Sequence, residues 1–262
     1  MKITLLGTGG SAGLPQIGGT DGRGDWGRAD PNEPRNRRTR ASIAIHTDAG
    51  RTILVDTGPD LRLQLVNNGI AHVESVIFTH AHADHVAGLD DVRILNRLIG
   101  TPMPAYATSE TLAELQQRFS YAFKPWNGGF FGRPVLMPHE VTPGQSLFVE
   151  GLEILPLEQD HGFSRSLGLR IGDFAYCTDV VRLDETALCA LAGIKTWMVD
   201  CFTPEGDHPT HAGLETVRNW VKRLRPERTI LTHMGSLMDY QTLKASLPPD
   251  IEPGYDGMIL EI

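Results

Sequence analysis

Residues 79–85 read Thr-His-Ala-His-Ala-Asp-His, so three of the chain's 10 histidines and an aspartate fall within six residues as H-x-H-x-D-H. Imidazole and carboxylate are the donors that zinc, manganese and iron(II) take. In extended backbone alternate side chains point the same way, so His80 and His82 can meet one cation. Asp84 and His85 stand where an amphipathic helix begins near Val86, and they project toward a second point. A surface turn with satisfied polar groups accounts for one histidine; it does not account for this set. His161, Asp179 and His233 extend the pattern, because each ends an apolar run abruptly: GLEILPLEQD, FAYCT and TILT. Taken singly, Asp179 reads as a helix cap and the two histidines as solvent-facing. Their shared position after strands places all three on one rim of a sheet.

Such a rim needs strands to build it. Runs rich in β-branched residues occur at 1–7, 41–46, 52–56 and 75–79, and again at 151–157, 167–171, 174–178, 196–200, 228–232 and 257–261. Apolar residues at three- and four-residue spacing predict helices over 60–68, 86–99, 109–119 and 211–224. Ser109–Glu110 and Thr210–His211 read as helix starts, Gly69 and Gly100 as stops. Strands and helices alternating without a long linker predict one α/β unit over 1–262, its sheet layers covered by helices. Two segments interrupt it. Residues 20–40 hold six arginines and few apolar residues, and 119–134 hold six aromatics among Gly and Pro. Irregular insertions of this length are usually functional.

The order HxHxDH, His, Asp, His, with GTGGS near the start and VDTG at 55–58, resembles the metallo-β-lactamase superfamily. The resemblance implies an α/β (α+β) fold of the αββα type, two packed mixed sheets flanked by helices, with a dinuclear metal site at the sheet edges. It assigns one metal to His80, His82 and His161 and the other to Asp84, His85 and His233, with Asp179 bridging. Asp56 would hold a ligand histidine by hydrogen bond. β-Lactamases of the superfamily typically carry Cys where Asp179 stands and lack the His at 85, so the full motif implies a phosphodiesterase. GTGGSAGLP, NRRTRAS, LVDTGPDLR and the terminal GYDGM are similar to PhnP-type phosphoribosyl cyclic phosphodiesterases. That branch commonly has a structural zinc held by cysteines of the early loop and a histidine just after the last metal ligand. Here 20–40 contains no Cys, and Met234-Gly235-Ser236 follows His233, so both halves of that site are missing.

The expected activity is hydrolysis of a small phosphodiester, a cyclic ribose or nucleotide phosphate among the candidates. A hydroxide shared by two Mn or Zn ions would attack phosphorus. Asp84 would orient it or accept its proton, and His211 would protonate the leaving alkoxide, with His208 the competing choice. The resemblance supports His211, since phosphodiesterases of the superfamily place a non-ligand histidine at about this point. Arg37, Arg38, Arg40 and Ser11 are candidate substrate contacts, although a solvated loop is the plainer reading of each arginine. The GTGGS turn fits no phosphate-loop pattern and reads as a tight turn beside the metal cleft, and Cys177 as a core residue. The aromatic loop is a candidate for base stacking, for closing over the site or for a homodimer patch.

Lys plus Arg number 24 against 32 Asp plus Glu, a net charge of −8, which disfavours long nucleic acids as partners. A tRNA 3′-end endonuclease of the RNase Z kind, which shares most of the motif, is the alternative enzyme, and a non-catalytic metal-binding protein the alternative outside catalysis. No apolar run approaches membrane-spanning length, and MKITLLGTGG lacks a signal-peptide pattern. Three widely spaced cysteines fit a reducing cytoplasm.

Overall fold

A computed structural model describes residues 1–262, whose strands form two seven-stranded sheets. The first contains β1 (Lys2–Gly7), β2 (Ser42–His46), β3 (Thr52–Val55), β4 (Ser75–Ile77), β5 (Met103–Ala107), β6 (Leu136–Glu140) and β14 (Ile259–Glu261). The second contains β7 (Leu147–Val149), β8 (Leu152–Asp160), β9 (Arg165–Ile171), β10 (Phe174–Cys177), β11 (Thr196–Asp200), β12 (Arg228–Thr232) and β13 (Ile251–Pro253). Their orders are β14-β1-β2-β3-β4-β5-β6 and β13-β12-β11-β10-β9-β8-β7. Each sheet is antiparallel in one half and parallel in the other.

The parallel halves follow from the helices, because a parallel neighbour requires a crossover. Helix α1 (Leu61–Asn67) joins β3 to β4, α2 (Ala83–Val86) and α3 (Val92–Ile99) join β4 to β5, and α4 (Ser109–Arg118) joins β5 to β6. In the second sheet α5 (Glu185–Ala190), α6 (Leu214–Leu224) and α7 (Tyr240–Ser246) link β10 through β13 in the same way. Three apolar cores result. One, with Ile43, Val55, Tyr176 and Met198, lies between the sheets. The others lie under α1–α4 and under α5–α7. Strands covered on both faces need no alternation, and TILV of β3 and FAYC of β10 are buried at every position. The architecture is the expected αββα sandwich of mixed sheets.

The topology also makes the rim. The row Cys177↔Val199↔Leu231 crosses β10, β11 and β12 in parallel register, so Asp179, Asp200 and His233 leave the sheet side by side. Val55↔Ile77 does the same for Asp56 and the 79–85 segment on β3 and β4. In parallel sheets the crevice beyond the carboxyl ends of the strands is where ligands bind.

Several elements differ from the sequence expectation. The run 86–99 is not one helix: α2 ends at Val86, a 3-10 turn covers Leu89–Asp91 and α3 begins only at Val92. Helix α6 begins at Leu214 rather than at 210–211. Phe202 N–H donates to Ala212 O, Thr203 bridges to Gly213, and the His211 ring is drawn to Asp200, so 211–213 stay extended. Strands β5, β6, β7 and β13 and helices α5 and α7 were not expected. No helix is long and apolar enough to cross a membrane.

The early loop is held by polar side chains. Asn36 Nδ2 donates to Asp239 Oδ2 at 2.8 Å, and Asn36 Oδ1 accepts from Tyr240 N at 2.8 Å. Arg38, 2% exposed, donates to Met238 O at 2.6 Å and to Asn36 Oδ1 at 3.1 Å. Arg35 lies over the Tyr240 ring. These contacts join residues 35–38 of the cysteine-free early loop to 238–240. They also bear on the candidate substrate arginines. Arg38 is a buried strut, Arg40 is committed to Asp60 at 3.0 Å, and Arg37 lies over Trp26.

The aromatic loop packs mostly inward. Trp126 stacks on buried Phe131 with centroids 4.4 Å apart, and Phe119, Tyr121 and Phe123 lie against the α1–α4 core. Phe130 alone of the six is exposed, with Arg97 over its ring.

Candidate metal centre

Two donor sets converge on the rim. His80, His82 and His161 form one; Asp84, His85, Asp179 and His233 form the other. Asp179 faces both: its Oδ1 lies 3.6 Å from His161 Nε2, 3.8 Å from His80 Nε2 and 3.3 Å from His233 Nε2, and its Oδ2 lies 3.1 Å from His85 Nε2. Asp84 Oδ2 is 3.4 Å from His85 Nε2 and 3.6 Å from His233 Nε2. His161 Nε2 lies 3.2 Å from His82 Nδ1. Ligands about 2.0–2.1 Å from a tetrahedral cation stand about 3.3 Å apart, so these separations fit coordination shells.

The ring orientations fit as well. His85 Nδ1–H donates to Asp56 Oδ2 at 2.7 Å, and His161 Nδ1–H to Thr210 O at 2.7 Å. Thr79 O–H donates to Asp56 Oδ2 at 2.8 Å, so its oxygen accepts from His80 Nδ1 at 3.0 Å. Each bond fixes the tautomer and leaves Nε2 for the centre. The Nε2 atoms of His80, His85 and His233 are buried without a hydrogen-bond partner, an arrangement that costs free energy unless a cation takes their lone pairs. The donors suit divalent cations in both chemistry and orientation.

Electrostatics point the same way. Burial opposes charge on Asp179, but His233 and His85 outweigh it and hold the carboxyl well below its usual range. Burial likewise opposes charge on Asp84, and the neighbouring His233 and His85 rings, 3.6 and 3.4 Å away, outweigh it and hold the carboxyl low. Burial pushes His80 well below the usual imidazole value. For His85, burial is outweighed by Asp179 and Asp56, which lift it well above; for His233, by Asp179, Asp84 and Asp200, which lift it to about 9. A cation entering the centre therefore displaces protons from these two rings.

Local backbone serves the geometry. Asp56, Asp179 and His233 have φ of 67°, 53° and 52°, left-handed turns that end the strands sharply. The glycine-rich turn packs on the centre: a Cβ on Gly10 would lie 2.8 Å from Phe202 and 3.5 Å from His233. Ser11 is exposed at its tip, its carbonyl accepting from Arg40 Nε at 3.3 Å.

His211 lies beside the centre, stacked on His233 with centroids 4.5 Å apart and 4.9 Å from His161. Its Nδ1–H donates to Asp200 Oδ2 at 2.7 Å. His208 is more peripheral, near Phe202 and Thr210. Asp200 was absent from the sequence expectation, although TWMVD ends in an acid just as FAYCTD and LVD do. Two cavities flank the donors. One of about 590 Å³ is lined by His80, His82, Glu110 and Glu140, the other of about 470 Å³ by His211, His208, Arg182 and Trp220. No aromatic of the 119–134 loop lines either.

Comparison with known proteins agrees with this geometry. Residues 51–234 match the beta-lactamase superfamily domain. An octanoyltransferase of Porphyromonas gingivalis is 32% identical over 260 residues; the match takes in 98% of this chain, which spans about half (51%) of that protein. A coenzyme PQQ synthesis protein B of Methylobacterium radiotolerans is 28% identical over 84% of this chain and 79% of its own. Among solved structures, a diphosphatase from the PhnP family superposes with a TM-score of 0.87 and 30% identity, covering 100% of this chain and 97% of its own. The short form of human tRNase Z shares the fold at a TM-score of 0.67 and 16% identity, covering 100% of this chain and 99% of its own. With the match running from before the HxHxDH segment to just past His233, the chain belongs to the metallo-β-lactamase superfamily and is similar to its PhnP-type members.

Proposed function

We propose that the protein is a metal-dependent hydrolase of a small phosphodiester. In this reading His80, His82 and His161 hold one divalent cation, Asp84, His85 and His233 a second, and Asp179 both. The observation that carries it is a hydrogen-bonded proton donor beside the donor sets: the His211–Asp200 pair, at 2.7 Å. Bound there, two divalent cations, manganese or zinc, supply an activated water and neutralise charge on the phosphoryl group. Asp84, 12% exposed, is the ionised carboxylate placed to take the water's proton. Asp200 accepts from His211 Nδ1–H and so aims Nε2 at the centre; with the ring carrying a proton on both nitrogens, the Nε2 proton passes to the departing alkoxide, help worth about 10²–10⁴-fold. Three or four protein donors per cation leave positions open for water, which favours catalysis over storage. Three free cysteines favour a reducing compartment, the cytoplasm.

A second reading is hydrolysis of an acyl thioester, favoured by the octanoyltransferase match. The four glutamates that line the cavity beside His80 and His82 argue against it, since an acyl chain needs a lining free of charge. Transfer RNA is opposed by the net charge of −8.

The test is turnover by protein loaded with Mn²⁺ or Zn²⁺. Substrates are bis(p-nitrophenyl) phosphate, cyclic ribose phosphates, cyclic nucleotides, a nucleoside diphosphate, a precursor tRNA and an octanoyl thioester. Metal-dependent cleavage of phosphodiesters is expected, with about two ions per chain and fewer in Asp179→Ala. Failure to cleave any phosphodiester would sink the proposal.

A further inference from the structure

Behind Asp179 lies a group of buried polar side chains that the proposed reaction does not use. Gln159 of β8 and Ser166 of β9 stand opposite one another in register, and both are buried. Gln159 Nε2 donates to Ser166 Oγ at 2.9 Å and to Thr178 O at 2.8 Å. Ser166 O–H donates in turn to Asp179 O at 2.7 Å. Thr178, buried just beyond β10, donates its own O–H to Asp179 Oδ2 at 2.6 Å. Two consecutive carbonyls and one carboxylate oxygen are thus gripped at the residue that faces both donor sets. They lie in a turn whose φ of 53° disfavours any side chain.

Polar residues satisfying one another would be the plain account, and it fails on Gln159. Its Oε1 is buried without a partner, which costs free energy that an apolar residue would not. The strand also leaves space for it. Gly168, two residues along β9 from Ser166, has no left-handed backbone to require glycine, yet a Cβ there would collide with the Gln159 carboxamide. The grip further distinguishes the two carboxylate oxygens. Oδ2 is held by Thr178 and faces His85, whereas Oδ1 faces His80 and His161 of one donor set and His233 of the other. Resting on the dinuclear reading above, we propose that Gln159, Ser166 and Thr178 are positioning residues for the shared ligand. The first two fix the 178–179 main chain, Thr178 sets the carboxylate, and Asp179 Oδ1 is the oxygen offered to both cations.

The test is Mn²⁺ binding, followed by calorimetric titration and by electron paramagnetic resonance, which separates spin-coupled pairs from isolated ions. Wild type is expected to give a coupled pair. Thr178→Val keeps the shape of the side chain without its hydroxyl. It should bind the second ion about 10–100-fold more weakly, the usual scale for support behind a metal ligand, and show isolated ions at a loading that fills wild type. Thr178→Ser, which keeps the hydroxyl, should restore the coupled signal. Gln159→Met, close in volume, should weaken the second ion by the same order through the main chain alone. A merely structural role would lower the urea midpoint of the metal-free variants and leave the second ion's affinity and the coupled signal unchanged. That result overturns the proposal, and so does a wild type without a coupled pair. Equal coupling in wild type and Thr178→Val, with phosphodiesters still cleaved, removes the positioning role and leaves the hydrolytic reading standing. Coupling lost in Thr178→Val, in a protein that cleaves no phosphodiester, does the reverse.

Discussion

Asp200 touches three parts of the centre at once. Its Oδ2 accepts from His211 Nδ1 at 2.7 Å and from Val180 N at 3.0 Å, beside Asp179, and its Oδ1 lies 3.9 Å from His233 Nδ1. Replacing it with Asn keeps the volume and one acceptor oxygen but removes the negative charge paired with the His211 ring. Asp200→Asn is expected to retain its metals and lose about 10²–10⁴-fold in kcat on alkyl phosphodiesters, where the leaving group needs a proton. With p-nitrophenol as leaving group the loss should be much smaller; equal losses on both would show that Asp200 serves the metals instead. The metal-type donors were readable one by one because their spacing and strand-end positions are written locally. Asp200 was not, because its role exists only once β11 and the 211–213 segment are folded together.

At the scale of elements, the early loop and α7 behave as one unit. Arg38→Ala would leave the carbonyl of Met238 and Oδ1 of Asn36 short of a buried donor, at a cost of about 1–3 kcal/mol. A lowered urea midpoint is expected, without the salt-dependent rise in KM that loss of a phosphate contact would bring. Asp239 caps α7 through Thr242 N and also takes Asn36 Nδ2 and Asp30 N. Burial opposes its charge, but these donors outweigh it and hold the carboxyl at about 2. A depressed carboxylate contributes stability that is complete above its unfolded value, about 3.9, and lost as pH falls through about 2. Between those limits wild type should lose stability more steeply than Asp239→Asn; identical slopes would remove Asp239 from the account. Sequence periodicity located the long helices, because α4 and α6 carry their own apolar stripes. It did not locate β5 or β13, which are short, contain proline, and pair with partners distant in the chain. The missing cysteines were legible, but the Asn36–Arg38–Asp239 substitute was not, since single polar residues in a loop carry no period.

For the whole molecule, the donor sets join the two sheets: His80, His82, Asp84 and His85 come from the first, and His161, Asp179 and His233 from the second. A cation bound by both sheets stabilises the folded state by mass action. At a thousandfold excess over its dissociation constant this is about 4 kcal/mol, or about 10 °C in Tm for a chain of this size. Chelation should therefore lower Tm by that order, and the loss should be smaller in Asp179→Ala. The same residue exposes a second contribution to stability. Asp56, Asp179 and His233 are three of the five non-glycine residues with left-handed backbone, a conformation that costs a side chain about 1–2 kcal/mol. In metal-free protein Asp179→Gly should be more stable than Asp179→Ala by about 1 kcal/mol, read from chemical denaturation; no difference would mean that the turn is unstrained. The centre thus occupies positions whose backbone favours glycine, although Asp56 is also kept by the hydrogen bonds it accepts from Thr79 and His85. A descendant of this fold released from its reaction would be expected to drift to glycine first at 179 and 233, so those two positions would record whether a chain still works.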